Sequence, residues 1–101
     1  SDIKFDKTVH NFGKIKKGIH KAVIFSFTNT GNKPAVIEFA QAECGCTTPE
    51  YKQEPVLKGQ KSNIKITYTA PYSGVFKKKI TVKFAGTKLP TELTIEGEVI
   101  L

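Results

Sequence analysis

Apolar and polar residues alternate along most of this chain with a period of two, the spacing of strands that bury one face. In AVIFSFTNTG, Val23, Phe25 and Phe27 share a side, and Asn29-Thr30-Gly31-Asn32 follows as a turn by composition. AVIEF places Ala35, Ile37 and Phe39 together, and NIKITYT points Ile64, Ile66 and Tyr68 inward with Lys65, Thr67 and Thr69 outward. KKKITVKF aligns Ile80, Val82 and Phe84 against Thr81 and Lys83. LPTELTIEGEVIL aligns Leu93, Ile95, Val99 and Leu101, with Glu96 and Glu98 toward water. DIKFDKTVHNFGKI reads as one or two short strands anchored by Phe5, Phe12 and Ile15, and YSGVF as a tight turn at Gly74 leading into a late strand. No segment keeps helical spacing over three turns.

About seven short strands within 101 residues, each closed by Gly, Pro or Asn, predict an all-β fold. The expected architecture is an immunoglobulin-like β-sandwich of two antiparallel sheets, a single domain over residues 1–101. It is not an antibody-type sandwich. The chain has no Trp, and its two cysteines lie too close in sequence to bridge two sheets, so Phe and branched aliphatic residues must fill the core. No apolar run approaches the ~20 residues of a membrane-spanning helix. The sequence begins at Ser1 and contains no Met, so a natural start is expected upstream, where a signal peptide or a lipid-anchor cysteine would lie.

Charge narrows the choice of partners. Sixteen basic against nine acidic residues give +7, and all sixteen are lysine. Lysine is a hydrated point charge and lacks the planar fork with which arginine reads base edges and clamps phosphates. Apart from Lys14-Lys16-Lys17 and Lys77-Lys78-Lys79 the lysines are dispersed, as on a solvated surface that discourages edge-to-edge pairing. Specific nucleic-acid binding is not expected.

Candidate chemistry is confined to AECGCTTPEYK, which holds both cysteines, Cys44 and Cys46, around Gly45. On a strand, residues two apart lie roughly 6.6 Å from each other on one side. That is near the upper limit of about 6.8 Å for disulfide Cα atoms, and a bend at Gly45 would shorten it. Several states are open: two packed thiols or a local structural disulfide, an exchangeable disulfide, Cu(I) held between two thiolates, or an intermolecular bond. A local bond closes so short a loop that chain entropy adds little stability. Structural zinc would need two further ligands, with only His10 and His20 to supply them. His10 is a candidate partner of the thiols, although a histidine on an early strand is more often a hydrogen-bonded structural residue. TTPEY reads as polar turn chemistry. No carboxylate pair, Ser-His-Asp set, HExxH or phosphate loop occurs, so no catalytic residue, resident metal or cofactor is expected.

VHNFGKIKKG, VIFSFTNTGNKPAVI, CGCTTPEY, PVLKGQKSNIKITY, YSGVFKKKITV and LTIEGEV follow one another in an order that resembles the bacterial family named domain of unknown function 1573. The resemblance covers nearly the whole chain. Its motif positions fall on His10, Phe12, Gly13, Asn29, Gly31, Cys44, Gly45, Cys46, Thr47, Gly59, Gly74 and Gly97. The family is similar in fold to the Hydin-type and major-sperm-protein modules. Its members are typically exported proteins or lipoproteins of Gram-negative bacteria, with no established activity. The resemblance therefore implies a sandwich located in the periplasm or at the cell surface, and leaves function open.

The expected function is that of a non-enzymatic, exported interaction or scaffold module. It would bind a protein partner through loops at one end or through an open sheet edge. The competing reading is a periplasmic thiol-redox or Cu(I)-handling protein that uses Cys44 and Cys46.

Overall fold

The structure is a computed structural model that describes residues 2–101 and contains, among them, eight strands and no helix. The strands are β1 (Ile3–Phe5), β2 (Val9–Lys16), β3 (Lys21–Asn29), β4 (Ile37–Ala42), β5 (Thr47–Tyr51), β6 (Lys61–Tyr68), β7 (Gly74–Phe84) and β8 (Thr91–Ile100). They form two four-stranded sheets, one in the order β1-β3-β6-β5 and the other β2-β8-β7-β4. The all-β sandwich expected from the alternation is present. It has eight strands where about seven were expected: the N-terminal segment splits into β1 and β2, which pair in different sheets, and TTPEY, expected as a turn, forms β5.

That split also produces the only departure from antiparallel pairing among the described strands: β2 runs parallel to β8. The register slips between Asn11 and Lys14, where the Gly13 amide donates to Asn11 Oδ1 at 2.7 Å and Gly13 takes a φ of 69°. Opposite lies Gly97. A Cβ there would sit 2.8 Å from the Gly13 carbonyl oxygen and 3.0 Å from the Phe76 ring, so only glycine allows β2 and β8 to approach this closely.

The core is the set that the two-residue period assigns inward. Phe25, Phe27, Ile64, Ile66 and Tyr68 come from one sheet, and Ile80, Val82, Phe84, Leu93, Ile95 and Val99 from the other. Phe27 meets Phe84 edge-on at 5.1 Å between ring centroids, and Phe5 packs on Phe27 at 5.4 Å. Two expected inward residues are not inside. A bulge between Ile37 and Phe39 inserts an extra residue in β4, which turns Phe39 to the surface and brings Ala40 and Ala42 in. Leu101 lies past the end of β8 and is exposed.

One end of the sandwich is tied by a residue whose reading as plain turn composition understated it. Asn29 is buried, and its side-chain amide donates to the carbonyls of Lys33 (2.7 Å) and Val56 (2.8 Å). Its Oδ1 accepts from the Gly31 amide at 2.9 Å. Its backbone N–H and C=O bond Gln60 and Gly59, so one side chain and its own peptide hold two loops together.

Phe25→Ala is expected to lower unfolding free energy by about 3–5 kcal/mol, since Phe25 is fully buried and its removal leaves a void. Thr67→Ala, on the outer face of β6, should change it by only ~0.5 kcal/mol. Urea titration of both variants checks the facing of the strands, and equal losses would contradict it.

Candidate functional site

The segment carrying both cysteines is the crossing from β4, at the edge of one sheet, to β5, at the edge of the other. Glu43 fixes its start. The Glu43 amide donates to the Lys79 carbonyl at 3.2 Å, and the Lys79 amide donates to Glu43 Oε1 at 2.8 Å, which extends the β4–β7 ladder by one polar clamp. The chain then reverses: the Thr47 amide donates to the Cys44 carbonyl at 3.3 Å, and the Cys46 carbonyl accepts from the Thr69 amide at 3.0 Å. Within this turn Cys44 and Cys46 form a disulfide, with Cα atoms 5.3 Å apart. Gly45 supplies the bend that brings a two-residue separation down to this distance. With the sulfurs bonded to each other, neither is a thiolate ligand for Cu(I) in this form.

The disulfide forms part of the wall of a cleft of about 410 Å³ at this end of the sandwich. Tyr68, Thr69, Pro71 and Tyr72 line it from β6 and the loop that follows, and Lys78 lines it from β7. Tyr68 stacks on Phe76 at 4.3 Å, and burial raises the pKa of its phenol. Tyr72 is largely exposed at the rim.

Two residues acquire a place here that the sequence did not give them. Thr47 was read as turn chemistry. It is buried, and its hydroxyl lies 3.6 Å from Cys44 Sγ and 3.8 Å from Cys46 Sγ. Lys78 was read as one of three clustered surface lysines. It shares the inward-facing row of β7 with the buried Phe76, Ile80, Val82 and Phe84, whereas Lys77 and Lys79 face out. The signal was available, because extending the Ile80–Val82–Phe84 alternation backward by two reaches Lys78.

His10 does not join the cysteines. It lies on β2, and β4 is the opposite edge of that sheet, three strand spacings or roughly 14 Å away. Its ring meets Phe12 edge-on at 4.7 Å, and Lys7 Nζ donates to its Nδ1 at 2.9 Å, the arrangement of a neutral imidazole protonated on Nε2. Partial burial, then the Lys7 charge, hold its pKa below the ordinary 6.5.

The chain belongs to the family described as protein of unknown function DUF1573, whose model matches residues 3–99. No curated protein matches it by sequence. In fold it is similar to the ASH/PapD-like domain 7 of human CEP192, with a TM-score of 0.82, 9% identity, and coverage of 98% of this chain and 85% of that one. It is similar to the YadV chaperone, with a TM-score of 0.70, 18% identity, and coverage of 98% and 52%. A part of the Vibrio cholerae VesB protease is also similar, with a TM-score of 0.75 and 12% identity over 96% of this chain. The chain spans only about a third of that protease, 32% of its length. At these identities the likeness is one of fold alone: an immunoglobulin-like all-β sandwich.

Backbone hydrogen bonds hold the Cys44–Cys46 turn without help from the sulfurs. Replacing both cysteines with Ser is therefore expected to leave the fold intact, with a loss of about 1–3 kcal/mol from packing and polarity. Circular dichroism and a denaturant titration check this, and an unfolded double variant would contradict it. The histidine gives a second expectation. The unfolded chain takes up the His10 proton at higher pH than the folded one. The stability that its neutral form contributes is thus full above the unfolded pKa and lost as pH falls from there through the lower folded pKa. Between about pH 7.5 and pH 5.5, His10→Gln should lose less stability than the parent chain. Urea midpoints at both pH values decide the matter, and identical pH dependence would remove His10 from the account.

Proposed function

We propose that this chain is a non-enzymatic, exported interaction module that receives an extended segment of a protein partner along the open edge of β4. The observation that carries this reading is the contrast among the four edge strands. An unpaired edge offers free backbone N–H and C=O groups, and proteins blunt such edges with brevity, lysine, proline or bulges. β1 has only three residues, β2 is bulged and carries Lys14 and Lys16, and β5 has Pro49 within it. Beyond its own bulge, β4 runs from Phe39 to Ala42 with neither lysine nor proline, and Phe39 is 41% exposed beside it. An added strand would take the backbone ladder from this edge and set an apolar side chain against Phe39.

Two further points support the reading. Small disulfides such as Cys44–Cys46 persist in oxidising compartments, in keeping with export to the periplasm or cell surface. A chaperone is among the proteins that share the fold, and PapD-type sandwiches are consistent with an interaction role. The dispersed lysines suit solubility better than nucleic-acid recognition, and no cofactor enters the proposal.

A library of extended peptides titrated into the isotope-labelled chain tests this. Binders are expected to shift the backbone amide resonances of residues 39–42. Phe39→Glu should weaken them at least about tenfold, as one lost apolar contact and an added charge would. Its unfolding midpoint should stay unchanged. Peptides that bind elsewhere, or that bind Phe39→Glu equally well, would refute the β4 edge as the receiving site.

A further inference from the structure

The end of the sandwich opposite Asn29 carries an arrangement that edge pairing does not use. We infer that Cys44–Cys46 is an exchangeable disulfide that oxidises a dithiol substrate, with the Thr47 hydroxyl and the Lys78 ammonium stabilising the departing thiolate.

Three observations converge. Both cysteines are half-buried, Cys46 against the core, and their bond forms part of the wall of a cleft through which a thiol can reach it. In a disulfide neither sulfur carries a proton, so the Thr47 hydroxyl, 3.6 and 3.8 Å from the two sulfurs, can only donate. It therefore reaches whichever sulfur leaves. Lys78 occupies a core-facing position of β7, half-buried and lining the same cleft, and no ion pair engages it among the described residues. A lysine that lines the same cleft as a disulfide supplies electropositive surroundings that favour thiolate over thiol. The loop closed by the bond spans one residue, so chain entropy does little to keep it closed. The Glu43 clamp and the hydrogen bonds to the Cys44 and Cys46 carbonyls keep the turn in place when the bond opens.

The reaction balances without a further reagent. One thiolate of the substrate attacks a sulfur of the pair, forming a mixed disulfide while the Cys44–Cys46 bond breaks. The released sulfur leaves as a thiolate beside Thr47 and Lys78 and takes up a proton. The second substrate thiol gives up its proton and attacks the substrate's own sulfur in the mixed disulfide, and the remaining cysteine leaves as a thiol. The substrate dithiol loses two electrons and becomes a disulfide, and the protein gains them as two thiols.

The test uses the oxidised chain, dithiothreitol and a reduced two-cysteine peptide, with alkylation and intact mass to count thiols over time. The native chain should gain two alkylatable thiols as the peptide becomes oxidised. Thr47→Val, nearly the same shape without the hydroxyl, should slow this about tenfold, the effect of one hydrogen bond to a charged group, while Thr47→Ser stays near the parent rate. In the reduced chain, Lys78→Gln should move the pH midpoint of alkylation upward, and this arm stands even if Thr47→Val fails to fold. Reduction that occurs only in denaturant would overturn the inference. So would an unchanged exchange rate in a folded Thr47→Val, or an unchanged alkylation profile in Lys78→Gln.

Discussion

The edge-to-face contact of Phe27 with Phe84 lies where the two sheets close on each other, and the rest of the fold depends on that closure. No covalent bond joins the sheets, because the single disulfide stays within one turn. What holds them is apolar area, and a buried Phe, Ile or Leu contributes roughly 1.5–3 kcal/mol by leaving water, with a further ~0.5–1.5 kcal/mol for a well-placed aromatic pair. Those contributions require Phe25 and Phe27, Ile64 and Ile66, Ile80 and Val82, and Leu93 and Ile95 to face inward at once. A one-residue slip in any of these strands would turn its whole apolar row to solvent. The period of two is thus both the signature of the fold and the condition for it.

That dependence explains how much could be read from the sequence. The central strands were legible because burial acts on their side chains directly: Phe25, Ile64, Ile66, Ile80, Val82, Leu93 and Ile95 are all fully buried, as their alternation requires. Phe39 was misplaced because a bulge is a backbone event, and nothing in AVIEF marks which residue is the extra one. The parallel pairing of β2 with β8 was not legible, since pairing direction is set by where the chain crosses between sheets and not by local pattern. Its one trace was the pair Gly13 and Gly97, far apart in sequence and meaningful only once the strands are adjacent. Asn29 looked like any turn residue. Its importance lies in Lys33 and Val56, the carbonyls it reaches, one of them 27 positions away. An aspartate of the same shape could not donate to either.

The candidate site was legible in its sulfurs and not in its surroundings. Two cysteines around a glycine announce local chemistry, but that Thr47 touches both sulfurs and Lys78 lines the same cleft follows from how β5, β7 and the β4–β5 crossing come together. His10 shows the converse. It is the side chain that composition made attractive as a partner for thiols, and the topology sets it on the far edge of the sheet with Lys7 and Phe12.

The two ends of the sandwich solve the same problem in different ways, and the difference bears on function. Each end must satisfy loop backbone that the sheets no longer pair. At the Asn29 end a buried side chain does this, donating to the carbonyls of Lys33 and Val56, the second of which also accepts from the Ala35 amide. At the cysteine end the backbone satisfies itself, through the Thr47 amide on Cys44, the Thr69 amide on Cys46 and the Glu43 clamp on Lys79. The sulfurs are therefore not needed to hold the turn that carries them. The covalent bond thus sits where it stabilises least, in the wall of a cleft that Lys78 also lines, and the Phe27–Phe84 core does not depend on it.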